Sequence, residues 1–211
     1  MACNQSRRNP SDIAVLAVSK RHPAARIREL YQLGQRAFGE NYVQEALAKQ
    51  DQLSELDIEW HFIGPLQSNK TREVAAHFDW VQSADRKKIL KRLSEQRPAT
   101  LPALNVCIQV NIDQEPQKAG VMPEQLEEMV RYSMGLKSLR LRGLMAIPQQ
   151  ATAGHTASDS FRRMRELFDR LIASGLELDT LSMGMSADFE AAIMEGSTLV
   201  RIGTDLLGAR V

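Results

Sequence analysis

The chain has 211 residues, of which 43% are hydrophobic, enough to bury one sizeable core. Its 27 basic and 26 acidic residues leave a net charge of +1, which gives no electrostatic basis for binding nucleic acid or an anionic membrane surface. No apolar stretch approaches the roughly 18–20 residues that cross a bilayer, and the polar N-terminus does not resemble a secretory signal. Cys3 and Cys107 have no metal-ligand spacing, so we expect a reduced, cytoplasmic protein.

Strand-like and helix-like segments alternate along the chain. Apolar runs predict strands over residues 13–18, 36–38, 58–63, 79–82, 104–110, 139–146, around Leu181 and over 199–202. The first run is typical of a strand buried on both faces in a parallel sheet. Helical spacing of apolar residues predicts helices over 23–33, 41–53, 68–77, 85–95, 123–134, 160–174 and 187–195, followed by at most a turn. Asp85 is expected to cap one helix, and residues 149–158 form a predicted polar loop.

Eight strand-helix units with right-handed crossovers leave two architectures, an open doubly wound sheet or a closed (β/α)₈ barrel. A doubly wound sheet usually carries a glycine-rich phosphate loop after its first strand, and the segment over residues 19–23 contains no glycine. The sequence therefore predicts an α/β protein with a single (β/α)₈ TIM barrel over residues 13–211, preceded by a short polar tail over residues 1–12.

Lys20 stands just after the first predicted strand. A lysine at this place is held on rigid backbone at the rim of the core, where partial desolvation favours the neutral amine that attacks an aldehyde to form an imine. The alternative is a strand-end lysine whose ammonium reaches water and does no chemistry.

The turns after the last two strands are typical of a phosphate site in a barrel. The seventh strand ends in a segment that runs from Ser182 to Ser186, and the eighth is followed by Gly203 and Thr204. Barrels commonly bind phosphate here through backbone N–H groups and a helix N-terminus. The alternative is ordinary turn chemistry, with Ser186 as a helix cap and Gly203 in a tight turn.

Four other polar or soft side chains occupy predicted strand ends or interiors. Arg201 could hold a carboxylate or a heteroaromatic nitrogen, or pair with an interior acid. His61 alternates with two aromatic residues; if these face the outer helices, its imidazole faces the barrel interior, as a structural group or as a site residue. Asn41 either caps a helix or reaches a ligand, and Met145 belongs to the core or to the wall against a ring.

An aldehyde-reactive lysine, a phosphate site and an arginine together indicate a phosphorylated aldehyde as the ligand. Pyridoxal 5′-phosphate (PLP) carries the aldehyde, the phosphate and a pyridine nitrogen on one ring. An arginine at that nitrogen does not protonate the ring, so the cofactor would be a weaker electron sink than one facing an aspartate.

Six segments in chain order carry a resemblance to a known family: VSK (18–20), FGENYVQE (38–45), HFIGPLQSNK (61–70), GLMA (143–146), LSMGMS (181–186) and VRIGT (200–204). They closely resemble the pyridoxal phosphate homeostasis protein family. The resemblance implies a fold-type III barrel similar to the N-terminal domain of alanine racemase. It implies that Lys20 forms a Schiff base with PLP, that Arg201 faces the pyridine nitrogen, and that the phosphate is held by Ser186, Gly203 and Thr204. It places near the cofactor, with less defined roles, Asn41, His61 and Met145. Ser182, at the end of the seventh strand, is also expected to bind the cofactor.

The chain differs from the family pattern at its ends. Members usually begin with a longer helix before the first strand and often continue beyond Val211. We therefore expect the bottom of the barrel to be less covered. As a separate expectation, we favour a monomer.

Three functions remain open at this point. The first is a PLP-binding carrier or regulator in PLP homeostasis, without robust catalysis, that passes PLP to apo forms of PLP-dependent enzymes. The second is an amino-acid racemase, which needs two acid-base groups on opposite faces of the ring; Lys20 supplies one, and His61 is the only candidate for the other. The third is a class I aldolase, although barrel aldolases usually place their lysine on a later strand.

Overall fold

A computed structural model gives the structure of residues 3, 6, 8–149 and 156–208. Eight parallel strands form a closed barrel in which each strand pairs with the next and β1 pairs with β8. The strands are β1 (Ala14–Val18), β2 (Ala37–Glu40), β3 (Glu59–Phe62), β4 (Trp80–Ala84), β5 (Leu104–Gln109), β6 (Leu139–Met145), β7 (Thr180–Met185) and β8 (Leu199–Ile202).

A helix follows each strand, as crossover connections between parallel strands require. The α-helices are α1 (Ala24–Gln32), α2 (Val43–Gln52), α3 (Thr71–His77), α4 (Lys87–Gln96), α5 (Leu126–Met134), α6 (Ala157–Ala173), α7 (Phe189–Met194) and α8 (Thr204–Leu207). Short 3₁₀ segments precede β1, α3 and α5 at Pro10–Asp12, Ser68–Lys70 and Pro123–Gln125. The predicted barrel is confirmed, including a final helix of about one turn. The boundary between a tail and the barrel stays a prediction.

Two apolar layers hold the barrel together. The outer layer lies between strands and helices, where Phe38, Phe62 and Phe161 are almost fully buried. Inside the barrel, a smaller cluster joins Trp80, Cys107 and Met145. Burial raises the pKa of the Cys107 thiol to about 12, so this cysteine is a packing residue.

Local details depart from the sequence prediction in three places. The start of β1 is not buried on both faces, since Val15 is 40% exposed beside a cavity at the amino ends of the strands. Asp85 does not cap α4; Arg86 holds the N-cap position, and the Asp85 carboxylate accepts a hydrogen bond from its guanidinium. The predicted loop over 149–158 falls largely outside the described residues, and α6 already begins at Ala157.

None of the helices in the described ranges combines the length and the apolar character that a membrane crossing requires.

Candidate cofactor-binding site

A cavity of about 270 Å³ opens at the carboxyl ends of the strands. Its cationic side chains are Lys20 and Arg201, and no carboxylate is among the described residues that line it. Such a lining favours an anionic ligand. Six of the nine residues predicted for the site line this cavity: Lys20, Asn41, Ser186, Arg201, Gly203 and Thr204.

Lys20 lies in a tight turn directly after β1. The N–H of His22 donates to the carbonyl of Ser19 at 3.0 Å, and Arg21 adopts a positive φ of 64°. Both flanking peptide groups are fixed by side chains, because the carbonyl of Ser19 accepts from Lys49 Nζ at 2.8 Å and the N–H of Arg21 donates to Glu45. The half-buried Lys20 therefore projects from a backbone held on both sides.

The groups that hold this turn form a buried ion cluster of Glu40, Glu45 and Lys49. Lys49 Nζ lies 2.7 Å from Glu40 Oε1 and 2.6 Å from Glu45 Oε1. Glu40 Oε1 also accepts from the hydroxyl of Ser19 at 2.6 Å. Burial raises the pKa of Glu40 even with Lys49 beside it, because desolvation outweighs the attraction of the ammonium.

Asn41 follows β2 and is fixed from one side by backbone. A Cβ atom added to Gly64 would lie 2.3 Å from the carbonyl oxygen of Asn41, so only glycine permits this approach. The buried Oδ1 of Asn41 has no hydrogen-bond partner among the described residues. A buried acceptor without a partner at a cavity is a place for a ligand donor.

Arg201 on β8 is 4% exposed and is held by three hydrogen bonds. Its Nη1 donates to the carbonyl and the hydroxyl of Ser182 at 2.9 and 2.7 Å, and its Nη2 donates to the carbonyl of Ala146 at 2.9 Å. Burial lowers the pKa of Arg201 to about 10, which still leaves it charged at neutral pH. A guanidinium has five N–H donors, so donors remain beyond those three bonds.

The predicted phosphate groups lie at the ends of β7 and β8. Ser186 is not the cap of α7, because Asp188 holds that position and its carboxylate accepts from the N–H of Met185 at 2.6 Å. Gly203 has an ordinary φ of −111°, and an added Cβ would come no nearer than 3.4 Å to its neighbours. Neither its backbone nor its packing requires glycine, so the missing side chain serves the cavity that Gly203 lines.

The three other predicted residues do not line this cavity. Ser182 is fully buried beneath Arg201, and Met145 is fully buried against Trp80 and Cys107. His61 does face the barrel interior, where its ring stacks on Trp80 with centroids 5.0 Å apart. It lines a different cavity, formed by the amino ends of the strands. These three residues lie deeper in the barrel than the residues that line the cavity, and their contact with a cofactor stays a prediction.

Sequence reasoning missed the groups that support the site. Lys49 falls on the buried face of α2, three residues after the buried Ala46, so its spacing was the available signal. Gln82 was equally visible as an amide within a fully buried strand. Both signals identify buried polar groups that need partners, without saying which partners.

A model of the family described as alanine racemase, N-terminal domain, matches residues 4–211. The alanine racemase of Clostridium difficile 630 has this fold, with a TM-score of 0.72, 15% identity and coverage of 97% of this chain and 54% of that one. The fold and the site therefore define a barrel of the alanine racemase N-terminal class.

More similar relatives narrow this class. The pyridoxal phosphate homeostasis protein of Pseudomonas aeruginosa is 56% identical over 209 residues, covering 99% of this chain and 90% of the relative. The protein of that name in Escherichia coli K12 is 50% identical over 212 residues, covering 99% and 91%. The structure of PipY from Synechococcus elongatus PCC7942 with PLP bound has a TM-score of 0.87 and 40% identity, covering 98% of this chain and 97% of PipY. The chain belongs to the pyridoxal phosphate homeostasis protein family.

Proposed function

We propose that this protein binds PLP and acts in PLP homeostasis, with Lys20 as the residue that holds the cofactor covalently. The observation that carries the proposal is the single cavity lined by Lys20, Asn41 and Arg201 together with the hydroxyls of Ser186 and Thr204. PLP-bound PipY and the names of the curated relatives support it.

The residues present fit the chemical groups of PLP. PLP supplies an aldehyde that condenses reversibly with an amine, releasing water. Lys20 provides that amine, and the hydroxyls of Ser186 and Thr204 provide donors for the phosphate at the open backbone of Gly203. Arg201 provides an N–H donor for the pyridine nitrogen, and it keeps its own proton because its pKa stays near 10.

The cavity supports a carrier better than a racemase. Racemisation needs a second acid-base group opposite the lysine. Among the described residues that line the cavity there is no carboxylate, imidazole or phenol, and His61 lies at the other cavity. With a ring nitrogen that accepts a hydrogen bond and gains no proton, the site favours holding PLP over carbanion chemistry.

Release of the cofactor is part of the proposal. Met185 and Ile147 line the cavity and are 38% and 39% exposed, so its rim is open to an incoming amine. The amine of an apo PLP-dependent enzyme would form the new C=N bond to the aldehyde carbon as the bond to Lys20 breaks, and Lys20 would recover its amine.

We further propose a monomer in the cytoplasm; the free thiols of Cys3 and Cys107 support a reducing compartment.

The test is covalent labelling of the full chain. Protein incubated with PLP should develop the visible absorption of the bound cofactor, and borohydride reduction should fix one pyridoxyl phosphate group on Lys20, located by peptide mass spectrometry. Lys20→Ala should lose both signals. The matched control is Lys91→Ala, which removes an exposed lysine of α4 and should behave like the unchanged protein.

A label on another lysine, or absorption that persists in Lys20→Ala, would overturn the assignment of Lys20. A chain that takes up no PLP at all would overturn the proposed function.

A further inference from the structure

Below the cavity, a line of hydrogen bonds leads from Arg201 into the barrel. Arg201 Nη1 donates to Ser182 Oγ at 2.7 Å, and Ser182 Oγ lies 2.6 Å from Gln82 Oε1. Ser182 and Gln82 are separated by 100 residues and are both fully buried, so the barrel closure alone brings them together.

The same line continues to the opposite opening of the barrel. Gln82 Nε2 lies 2.9 Å from Nδ1 of His61, and Nε2 of His61 lies 2.7 Å from Glu59 Oε1. His61 is 1% exposed, whereas the side chain of Glu59 is 48% exposed at the amino end of β3. The five residues Arg201, Ser182, Gln82, His61 and Glu59, here called the interior chain, thus span the barrel from the cavity to solvent.

The directions follow from the donors of Arg201 and from the orientation of the Gln82 amide, whose Oε1 faces Ser182 and whose Nε2 faces His61. Arginine can only donate, so Ser182 Oγ accepts from it and gives its own hydrogen to Gln82 Oε1. The N–H of Gln82 then points at His61, so Nδ1 of His61 accepts. The imidazole is therefore neutral with its proton on Nε2, which donates to the carboxylate of Glu59. The pKa of Glu59 is lowered, with this bond as the largest cause.

We propose that Gln82 and His61 are positioning residues that, through Ser182, orient Arg201 toward the ring nitrogen of PLP. The inference rests on the proposed function, and it adds the residues that set the contact between Arg201 and the ring nitrogen of PLP. Without the hydroxyl of Ser182 as an acceptor, the Nη1 group would keep only the carbonyl of Ser182, and the guanidinium could rotate away from the cavity.

Burial favours the neutral form of His61 that the interior chain requires, against the attraction of the carboxylates beside it. The charged side chains that face it are Glu59 on β3, Asp79 before β4 and Arg142 on β6. Burial lowers the pKa of His61 more than Glu59 raises it. A protonated ring would turn an N–H toward the N–H of Gln82, which would break the interior chain at its centre.

The experiment compares PLP with deazapyridoxal 5′-phosphate, in which C–H replaces the ring nitrogen, in binding to the full-length protein. The unchanged protein should prefer PLP. Ser182→Ala and Gln82→Leu should each reduce that preference by about 2- to 10-fold, the worth of one hydrogen bond. Gln109→Leu is the matched control, because Gln109 is another buried strand glutamine that donates to the carbonyl of Ala119, outside the interior chain.

A merely structural role would weaken both ligands equally and leave the preference unchanged, which would overturn the inference. If Gln82→Leu does not fold, the ligand preference of Ser182→Ala alone tests the inference. A second readout needs no ligand: long-range ¹H–¹⁵N NMR of the unchanged protein should show His61 protonated on Nε2 only, and a proton on Nδ1 would contradict the direction of the interior chain. Failure of every protein to bind PLP would instead reject the proposed function.

Discussion

The two openings of the barrel differ in charge and in how far their polar groups are satisfied. The cavity at the amino ends is the larger, about 450 Å³, and it is lined by the carboxylates of Asp12, Glu59 and Asp179 and by Arg142. The cavity at the carboxyl ends is about 270 Å³ and is lined by Lys20 and Arg201. Size alone would select the opening at the amino ends rather than the one lined by Lys20 and Arg201.

The two openings differ in how their charged and amide side chains are partnered. At the amino ends, Arg142 makes a bidentate pair with Asp179, and Glu59 accepts from His61. At the carboxyl ends, Asn41 Oδ1 is buried without a partner among the described residues, and Arg201 has more N–H donors than acceptors there. A ligand site is indicated by polar groups that the protein holds in place and leaves unsatisfied.

The largest effect is expected at the carboxyl end, from loss of the cation in the buried ion cluster. Lys49→Met would leave the fully buried Glu40 without its ion partner, and we expect the free energy of unfolding to fall by about 3–5 kcal/mol. Attachment of PLP to Lys20 should also slow, because the Ser19 carbonyl loses its donor. Urea denaturation and labelling kinetics measure the two effects.

Two companion variants sharpen that result. Lys49→Met combined with Glu40→Gln should recover much of the lost stability, since no buried carboxylate is then unpaired. Lys91→Met, which removes an exposed partner of Glu95, should change stability by less than about 0.5 kcal/mol. Equal losses from the Lys49 and Lys91 substitutions would show that the buried ion cluster does not stabilise the turn.

The sequence predicted the barrel and the meeting of Lys20 with Arg201 for one physical reason. Parallel strands all end at the same opening, so residues that follow different strands converge there regardless of their separation in the chain. The same rule placed Asn41 at that opening; that these residues contact PLP stays a prediction.

What the sequence did not predict depends on register and on depth within the barrel. His61 stacks on Trp80 because the two are paired between β3 and β4, and Ser182 meets Gln82 across the interior. The alternation of His61 with aromatic residues along β3 indicated which face of the strand it occupies, but not how far along the barrel axis it lies. The burial of Lys49 likewise required knowing that Glu40 and Glu45 both point toward it.

A smaller effect is expected at the amino end from Arg142→Ala. Its guanidinium pairs with Asp179, donates to Asn105 at 3.0 Å and lies 4.5 Å over the ring of Trp80. Because its side chain is 22% exposed and Asp179 is 51% exposed, we expect a loss of about 1–2 kcal/mol in the free energy of unfolding. PLP labelling of Lys20 should be unchanged. The control, Arg162→Ala, removes an exposed arginine and should alter neither the free energy of unfolding nor the labelling.

Loss of labelling in Arg142→Ala would mean that the two openings are coupled more strongly than the hydrogen bonds of the interior chain indicate. Thermal or urea unfolding, read beside the borohydride label, separates this outcome from simple destabilisation.

The smallest expected effect is on the pH dependence of the free energy of unfolding, which has opposite signs for the buried groups at the two openings. Burial lowers the pKa of His61 from 6.5, so the unfolded chain binds the proton more readily and stability from this group is lost as pH falls below about 6.5. Burial raises the pKa of Glu40 from 4.5, so its contribution is present below about 4.5 and lost as pH rises through its folded value. Each slope is limited to one proton, about 1.4 kcal/mol per pH unit.

Unfolding free energies from pH 7.5 to 5.5 should fall less steeply in His61→Gln than in the unchanged protein, and the exposed His77→Gln should keep the original slope. The same slope in all three proteins would show that the protonation of His61 does not differ between the folded and unfolded states in this range, so acid would not break the interior chain there.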